Sequence, residues 1–129
     1  MLYKTYIRTD HGVIYVDNDI FIIGGLSQHR GFFLKSVSRL DLKRRDCFEE
    51  PPMNNCRSRF SSCVLNGYIY AIGGMGETYD GQMTRLRAAE RFSIKDRQWE
   101  VIADMNEERY NASCCFCDVR NRLILKRLL

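Results

Sequence analysis

The 129-residue chain is 45% hydrophobic and 12% aromatic, enough apolar content for one globular domain and too much for a wholly disordered chain. Its 20 basic and 16 acidic residues leave a formal charge of +4, spread along the sequence rather than gathered into the basic stripe of a nucleic-acid binder. No apolar run reaches membrane-spanning length, so neither a nucleic acid nor a membrane is an expected partner.

The opening residues, MLYKTYIRTDHG, set Lys4, Arg8 and Asp10 among apolar neighbours, unlike the unbroken apolar core of a secretory signal. The expected location is therefore the cytoplasm, with the nucleus as the alternative. Residues 18–27, NDIFIIGGLS, form an apolar strand that ends on Gly24 and Gly25. Glycine in or after a strand loses entropy and packs nothing, so a pair needs a geometric reason. Residues 26–35 form a long connection carrying Gln28, His29, Arg30, Phe32 and Phe33. Leu40 precedes Lys43-Arg44-Arg45, which reads as a solvated turn. Cys47, Phe48, Met53 and Arg57 follow.

A second apolar block is clearer. A short strand at 60–65 turns at Asn66-Gly67, a strong hairpin dipeptide. The next strand, 68–72, is apolar on both faces, with Tyr68, Tyr70 and Ile72 on one and Ile69 and Ala71 on the other, and should be covered from both sides. It stops at Gly73 and Gly74, and residues 75–85 then carry Met75, Glu77, Tyr79, Asp80, Gln82 and Met83. A third strand at about 88–94 mixes Glu90 and Arg91 with Phe92 and Ile94, which places it near the surface. A polar turn at 95–97 leads to a fourth strand, 98–102, around Trp99.

These blocks are repeats. The glycine doublets lie 49 residues apart, Arg8 and Arg57 each stand sixteen residues before a doublet, and Met53 and Met105 each stand four before Arg57 and Arg109. Gly12, Ser61 and Ser113 follow their arginines by four, while Cys47 and Trp99 precede their methionines by six. A period of this size with four strands per unit describes an antiparallel propeller blade, whose early strands are covered by neighbouring blades.

The combination of IFIIGG and YIYAIGG with Leu40 or Phe92, then Trp99, then Met53–Arg57 or Met105–Arg109 resembles the kelch-repeat proteins. The implied fold is all-β, an incomplete kelch β-propeller of about two and a half four-stranded antiparallel blades, with repeats at 8–55 and 56–107 and a truncated, degenerate one at 108–129. The resemblance makes Gly24, Gly25, Gly73, Gly74, Phe92, Trp99, Arg57 and Arg109 structural, the doublet lying where the second strand leaves a crowded sheet and the arginines tying adjacent blades. There are departures. Cys47 stands at the first unit's tryptophan position, with Phe48 beside it to supply bulk, and the third unit reads NRLILKRLL without a doublet, as a frayed end. Propellers close at roughly six blades of about 50 residues, so the chain reads as a fragment or degenerate relative that would expose open strand edges and self-associate.

Kelch propellers bind partners through the loops entering each first strand and those after each doublet. On these residues the candidate contacts are Arg59 first, with its repeat equivalents Asp10 and Asn111, then Gln28, His29, Arg30, Met75, Glu77 and Tyr79. Arginine, methionine and aromatic side chains on an exposed rim suit a protein interface. The wording of residues 79–109 is most similar to the BTB-kelch adaptors, which implies substrate recognition for cullin-3 ubiquitin ligases. Cullin-3 itself would be reached only through a BTB segment, which is absent here; an actin-binding or cytoskeletal scaffold is the alternative, and a non-functional fragment another.

No enzyme is expected, because there is no nucleophile elbow, HExxH or paired-carboxylate signal. The six cysteines, Cys47, Cys56, Cys63, Cys114, Cys115 and Cys117, read as reduced structural thiols. His11 and His29 lie far from the Cys114 group, and Cys114 and Cys115 are adjacent, pointing to opposite faces in a strand. Neither a metal nor a cofactor is expected.

Overall fold

The computed structural model describes residues 7–29 and 31–102, together with the backbone of strands 112–117 and 123–127. All regular structure among them is strand. The first sheet comprises β1 (Arg8–Thr9), β2 (Gly12–Val16), β3 (Asp19–Ser27), β4 (Phe33–Asp41) and β5 (Asp46–Glu50), in the antiparallel order β2, β3, β4, β5, with β1 beside the far end of β3. Then come β6 (Ser61–Leu65), β7 (Tyr68–Ile72), β8 (Met75–Glu77), β9 (Met83–Arg85), β10 (Ala89–Ser93) and β11 (Gln98–Ile102). Of these β6, β7, β10 and β11 form the second sheet in that order, and β8 and β9 a separate hairpin. Last are β12 (Ala112–Cys117) and β13 (Leu123–Arg127), paired with each other. The first strands of successive units stand together, β2 beside β6 and β6 beside β12, as blades of a partial propeller.

Local chemistry sets these elements. The β6–β7 turn holds Asn66 at φ 48° and Gly67 at φ 80°, and the β2–β3 turn holds Asp17 at 50° and Asn18 at 68°, the left-handed pair that matches hairpin twist and that asparagine, aspartate and glycine tolerate. The core is the seam between the two sheets. Ile14, Phe21, Ile23 and Val37 from the first face Ile69, Ala71 and Phe92 from the second, and Met53 closes one end. Phe21 and Phe92 lie 6.1 Å apart, tilted, and Phe92 and Trp99 5.3 Å, the offset geometry aromatic quadrupoles favour. The Trp99 indole N–H donates to the Pro51 carbonyl at 2.9 Å. Removing that bond while keeping an aromatic ring, Trp99→Phe, should cost about 1 kcal/mol, measured as a lower urea midpoint by circular dichroism.

An ionic cluster also crosses the seam. The Glu50 side chain, 1% exposed, accepts from Arg39 Nε at 2.7 Å and pairs with Arg97 at 2.6 Å across the sheets. The hydrogen bond to Glu50 holds the Arg39 guanidinium above its ordinary pKa, against the pull of burial.

Four expectations from sequence change. Glu90 is not near the surface: it is fully buried, because it answers an equally buried arginine. Phe48 does not replace the missing tryptophan. Cys47 pairs with Leu40 as Trp99 pairs with Phe92, while Phe48 pairs with Arg39 and lies under its guanidinium at 4.7 Å, on the opposite face because successive side chains alternate. On the Tyr68, Tyr70 and Ile72 face of β7 Ile72 is buried but the two tyrosines are only half-buried; Arg91 stacks on Tyr68 at 4.0 Å and donates to the Tyr70 hydroxyl at 3.4 Å. Finally, residues 123–127 are a strand rather than a frayed end, because the β12 backbone supplies partners for their N–H and C=O groups, with one bulge between Cys115 and Cys117.

Candidate partner-binding face

The loops that could meet a partner share the end of the sheets where β2 and β6 begin and β3 and β7 finish. Glycine makes that end possible. Gly24, at φ +59°, lies under the chain entering the second unit, and a Cβ there would sit 2.7 Å from the Arg57 carbonyl. Gly25 donates its N–H to that carbonyl at 2.8 Å. The first doublet lies within β3, at a bulge in its pairing with β4, whereas the second follows β7 directly. Gly74 repeats the close approach, its open side against the Ser58 carbonyl and Phe60.

Arg57 anchors this crossing. Its backbone belongs to the first sheet's surroundings, the N–H donating to Leu34 at 3.1 Å and the carbonyl accepting from Gly25. Its side chain enters the second sheet, donating to the Gly73 and Ala88 carbonyls at 3.1 and 3.0 Å and pairing with Glu90 at 2.9 Å. Both side chains are 0% exposed. Burial pushes the Arg57 pKa down and the Glu90 charge opposes it. The remaining Glu90 capacity is used by the backbone N–H groups of Asn54 and Asn55 at 2.7 and 3.1 Å. Arg8 repeats the clamp in the first unit, donating to Gly24 and Ser36 at 3.0 and 3.2 Å.

Above this frame sit the candidate contact residues. Arg59 projects with half of its side chain exposed, but its Nε pairs with Asp10 at 3.3 Å and its N–H donates to the Asp10 carbonyl at 3.0 Å. Repeat-equivalent positions thus face each other, and an acidic ligand at Arg59 would compete with Asp10. Gln28 and His29 are exposed beyond β3, where the Gln28 N–H is fixed to the Ile7 carbonyl at 3.0 Å. Met75 is half-buried and bonded through its backbone to Ser58 in both directions at 2.8 Å, so it supports the rim more than it forms it. Phe33 is buried as the start of β4, because the strand begins three residues earlier than the 26–35 loop reading implies. Arg30, Arg109 and Asn111 lie outside the described residues.

The β8–β9 hairpin carries the most exposed of these side chains among the described residues. Glu77 is exposed, Tyr79 fully so, and Met83 is 71% exposed. Its tip is held by Thr78, which bonds Asp80 through its hydroxyl and Gln82 through its N–H at 2.8 Å. Phe32 at 38% and Ile7 at 54% exposure add apolar surface on the same end. Ile7 carries no sequence signal, since it precedes the first recognisable motif and is placed only by the Gln28 bond. Cys56 lies half-buried behind the hairpin, where desolvation pushes its thiol above the ordinary value. Among the described residues no group of three or more His, Cys, Asp or Glu converges on a metal position. The arrangement can hold an extended or loop-shaped protein segment by aromatic and methionine contacts edged with charge.

The Kelch motif profile matches residues 7–54 and 56–106. A Kelch repeat and BTB domain-containing protein 2 of Ectromelia virus (strain Moscow) is 33% identical over 103 residues, covering 80% of this chain and 17% of that one. The Kelch domain-containing protein 8B of Mus musculus is 31% identical over 116 residues, covering 82% and 32%. An F-box/kelch-repeat protein of Arabidopsis thaliana is 31% identical over 100 residues, covering 78% and 24%. The chain thus spans a third or less of these relatives. The solved structure of YjhT superposes with a TM-score of 0.76 at 13% identity, over 92% of this chain and 33% of that one, a likeness of fold alone.

Proposed function

The chain belongs to the family of kelch-repeat proteins and is a protein-interaction module of that family, and we propose that it recognises protein substrates as the binding portion of a cullin-3 ubiquitin-ligase adaptor. The observation that carries this reading is the face itself: the hydrogen-bonded β8–β9 hairpin presents Tyr79 and Met83 to solvent, with Phe32 and Ile7 on the same end. Large apolar side chains held outward on a fixed frame lose little entropy on binding. Similarity to a protein named for kelch repeats and a BTB domain supports the adaptor assignment, with the BTB segment making the ligase contact in the cytoplasm.

Fusing residues 1–129 behind a BTB-containing segment should allow captured proteins to be ubiquitinated in a reconstituted cullin-3 reaction. The paired change Tyr79→Ser with Met83→Ser should weaken capture roughly tenfold or more while leaving the circular dichroism spectrum unchanged. Capture that survives this change would place recognition elsewhere. Co-sedimentation with filamentous actin separates the scaffold alternative: the chain should stay in the supernatant, and pelleting with filaments would overturn the adaptor reading.

A further inference from the structure

A cleft of about 250 Å³ opens in the seam between the two full sheets, at the end where β3 begins and β10 finishes, opposite the loop face. Asp19, Phe21, Arg39 and Glu50 of the first sheet form one wall, and Phe92, Ile94 and Arg97 of the second unit the other. Phe21 and Phe92 are buried and Ile94 is half-buried, so an apolar lining separates the charges. The four charges sum to zero but are not equally used. Arg39 Nε and Glu50 satisfy each other at 2.7 Å, and Asp41, outside the lining, stands 3.9 Å from Arg39. Asp19 has only the Arg39 Nη1 group at 3.4 and 3.5 Å, longer than the roughly 2.7–2.9 Å of a charge-assisted bond, and its side chain is 26% exposed. Arg97 reaches Glu50 through Nη2 alone; its Nε and Nη1 groups meet no acceptor among the described residues, and its side chain is 50% exposed. An under-used carboxylate thus faces an under-used guanidinium across an apolar gap. The blade architecture does not require these acids. By strand register Arg39 corresponds to Arg91 of the second sheet, Asp19 to Tyr68 and Glu50 to Ile102. Arg91 is held by Tyr68, Tyr70 and Glu100, without an acid at either of those two positions.

We propose that the cleft binds a small zwitterion, an α-amino acid with an apolar side chain. The ligand carboxylate takes the Arg97 Nε and Nη1 donors, in the fork geometry that a guanidinium offers to carboxylates. Its ammonium takes Asp19, and its side chain lies against Phe21, Phe92 and Ile94. A ligand of no net charge leaves the balance of the lining unchanged, whereas an anion or a cation would desolvate one wall without answering its charge. The volume lies below the roughly 300–1,000 Å³ of sites for drug-sized ligands, which suits a single amino acid rather than a peptide. The cleft is built entirely from the two described sheets and shares no residue with the loop face, so it stands apart from substrate recognition.

L-Leucine titrated into the full chain should give a saturable change in the fluorescence of Trp99, the single tryptophan, 5.3 Å from Phe92, and in the amide shifts of Phe21 and Ile94. Leucinamide, which lacks the carboxylate, and N-acetyl-leucine, which lacks the ammonium, should each bind roughly tenfold more weakly. Asp19→Asn, at a partly exposed side chain with only long bonds, should keep the fold and bind leucine roughly tenfold more weakly. Arg97→Asn, an exchange that its left-handed φ of 56° permits, should do the same and carries the test if the first variant fails to fold. No saturation by leucine below about 10 mM in either measurement overturns the proposal. So does equal binding of either blocked derivative, or leucine binding that both variants leave intact.

Discussion

Replacing Glu90 with alanine should destabilise the fold by about 3–5 kcal/mol, the range for removing one partner of a buried ion pair. The loss falls on several groups together. Arg57, 0% exposed, would keep its charge without a counter-charge, and the N–H groups of Asn54 and Asn55 would lose the carboxylate that accepts from them. Against a total of about 5–15 kcal/mol for a domain, such a loss leaves little. The single tryptophan, Trp99, lies in the seam beside Phe92 and reports the transition, so the urea midpoint by fluorescence is the measurement. The double change Glu90→Leu with Arg57→Met should recover part of the loss by removing both charges together, but not all, because the carbonyls of Gly73 and Ala88 still lose their donor. A Glu90→Ala variant within 1 kcal/mol of the parent would contradict this account of the crossing.

Gly74→Val should be as damaging, through backbone and space together. Gly74 has φ +90°, a region that costs an L-residue about 1–3 kcal/mol, and β-branching adds to it. The new Cβ would also run into the Ser58 carbonyl and approach Phe60 Cβ to 2.8 Å. Neither obstacle is the free end of a flexible side chain, so the crossing must shift and Met75 loses its paired bonds to Ser58. The expected result is loss of cooperative unfolding and poor recovery of soluble protein. Gly67→Asn is the matched control: φ is +80° but nothing lies within 4 Å, so its cost should stay below about 1 kcal/mol. Equal damage at both positions would mean that conformation alone, without the close approach, decides the outcome.

Repetition made most of the fold readable. The strands 68–72 and 98–102 are observed with those bounds, because an Asn-Gly turn and a glycine doublet punctuate one, and a polar turn and a tryptophan the other. The blade-tying role of Arg57 was legible through the resemblance, but its partners and most other details settled between units were not. Glu90 looks like a surface residue within its own strand, and only the chain arriving from the first sheet makes burial favourable. Phe48 sits next to the tryptophan position in sequence but on the other face of β5 in space. At the candidate face, exposure followed from loop length for Tyr79 and Glu77, while the Arg59–Asp10 pair and the backbone capture of Met75 depend on two loops meeting.

The double attachment of Arg57, main chain to one unit and guanidinium to the other, has a thermodynamic consequence. Repeat arrays can melt in stages when each unit is stable by itself. Here the residues that finish the first sheet's hydrogen bonding are the same ones that neutralise the second sheet's interior carboxylate, so neither unit can reach its lowest free energy alone. Heating should therefore show one sharp calorimetric peak spanning residues 8–102, with hydrogen exchange in Ile23 and Ile69 slowed by the same free energy.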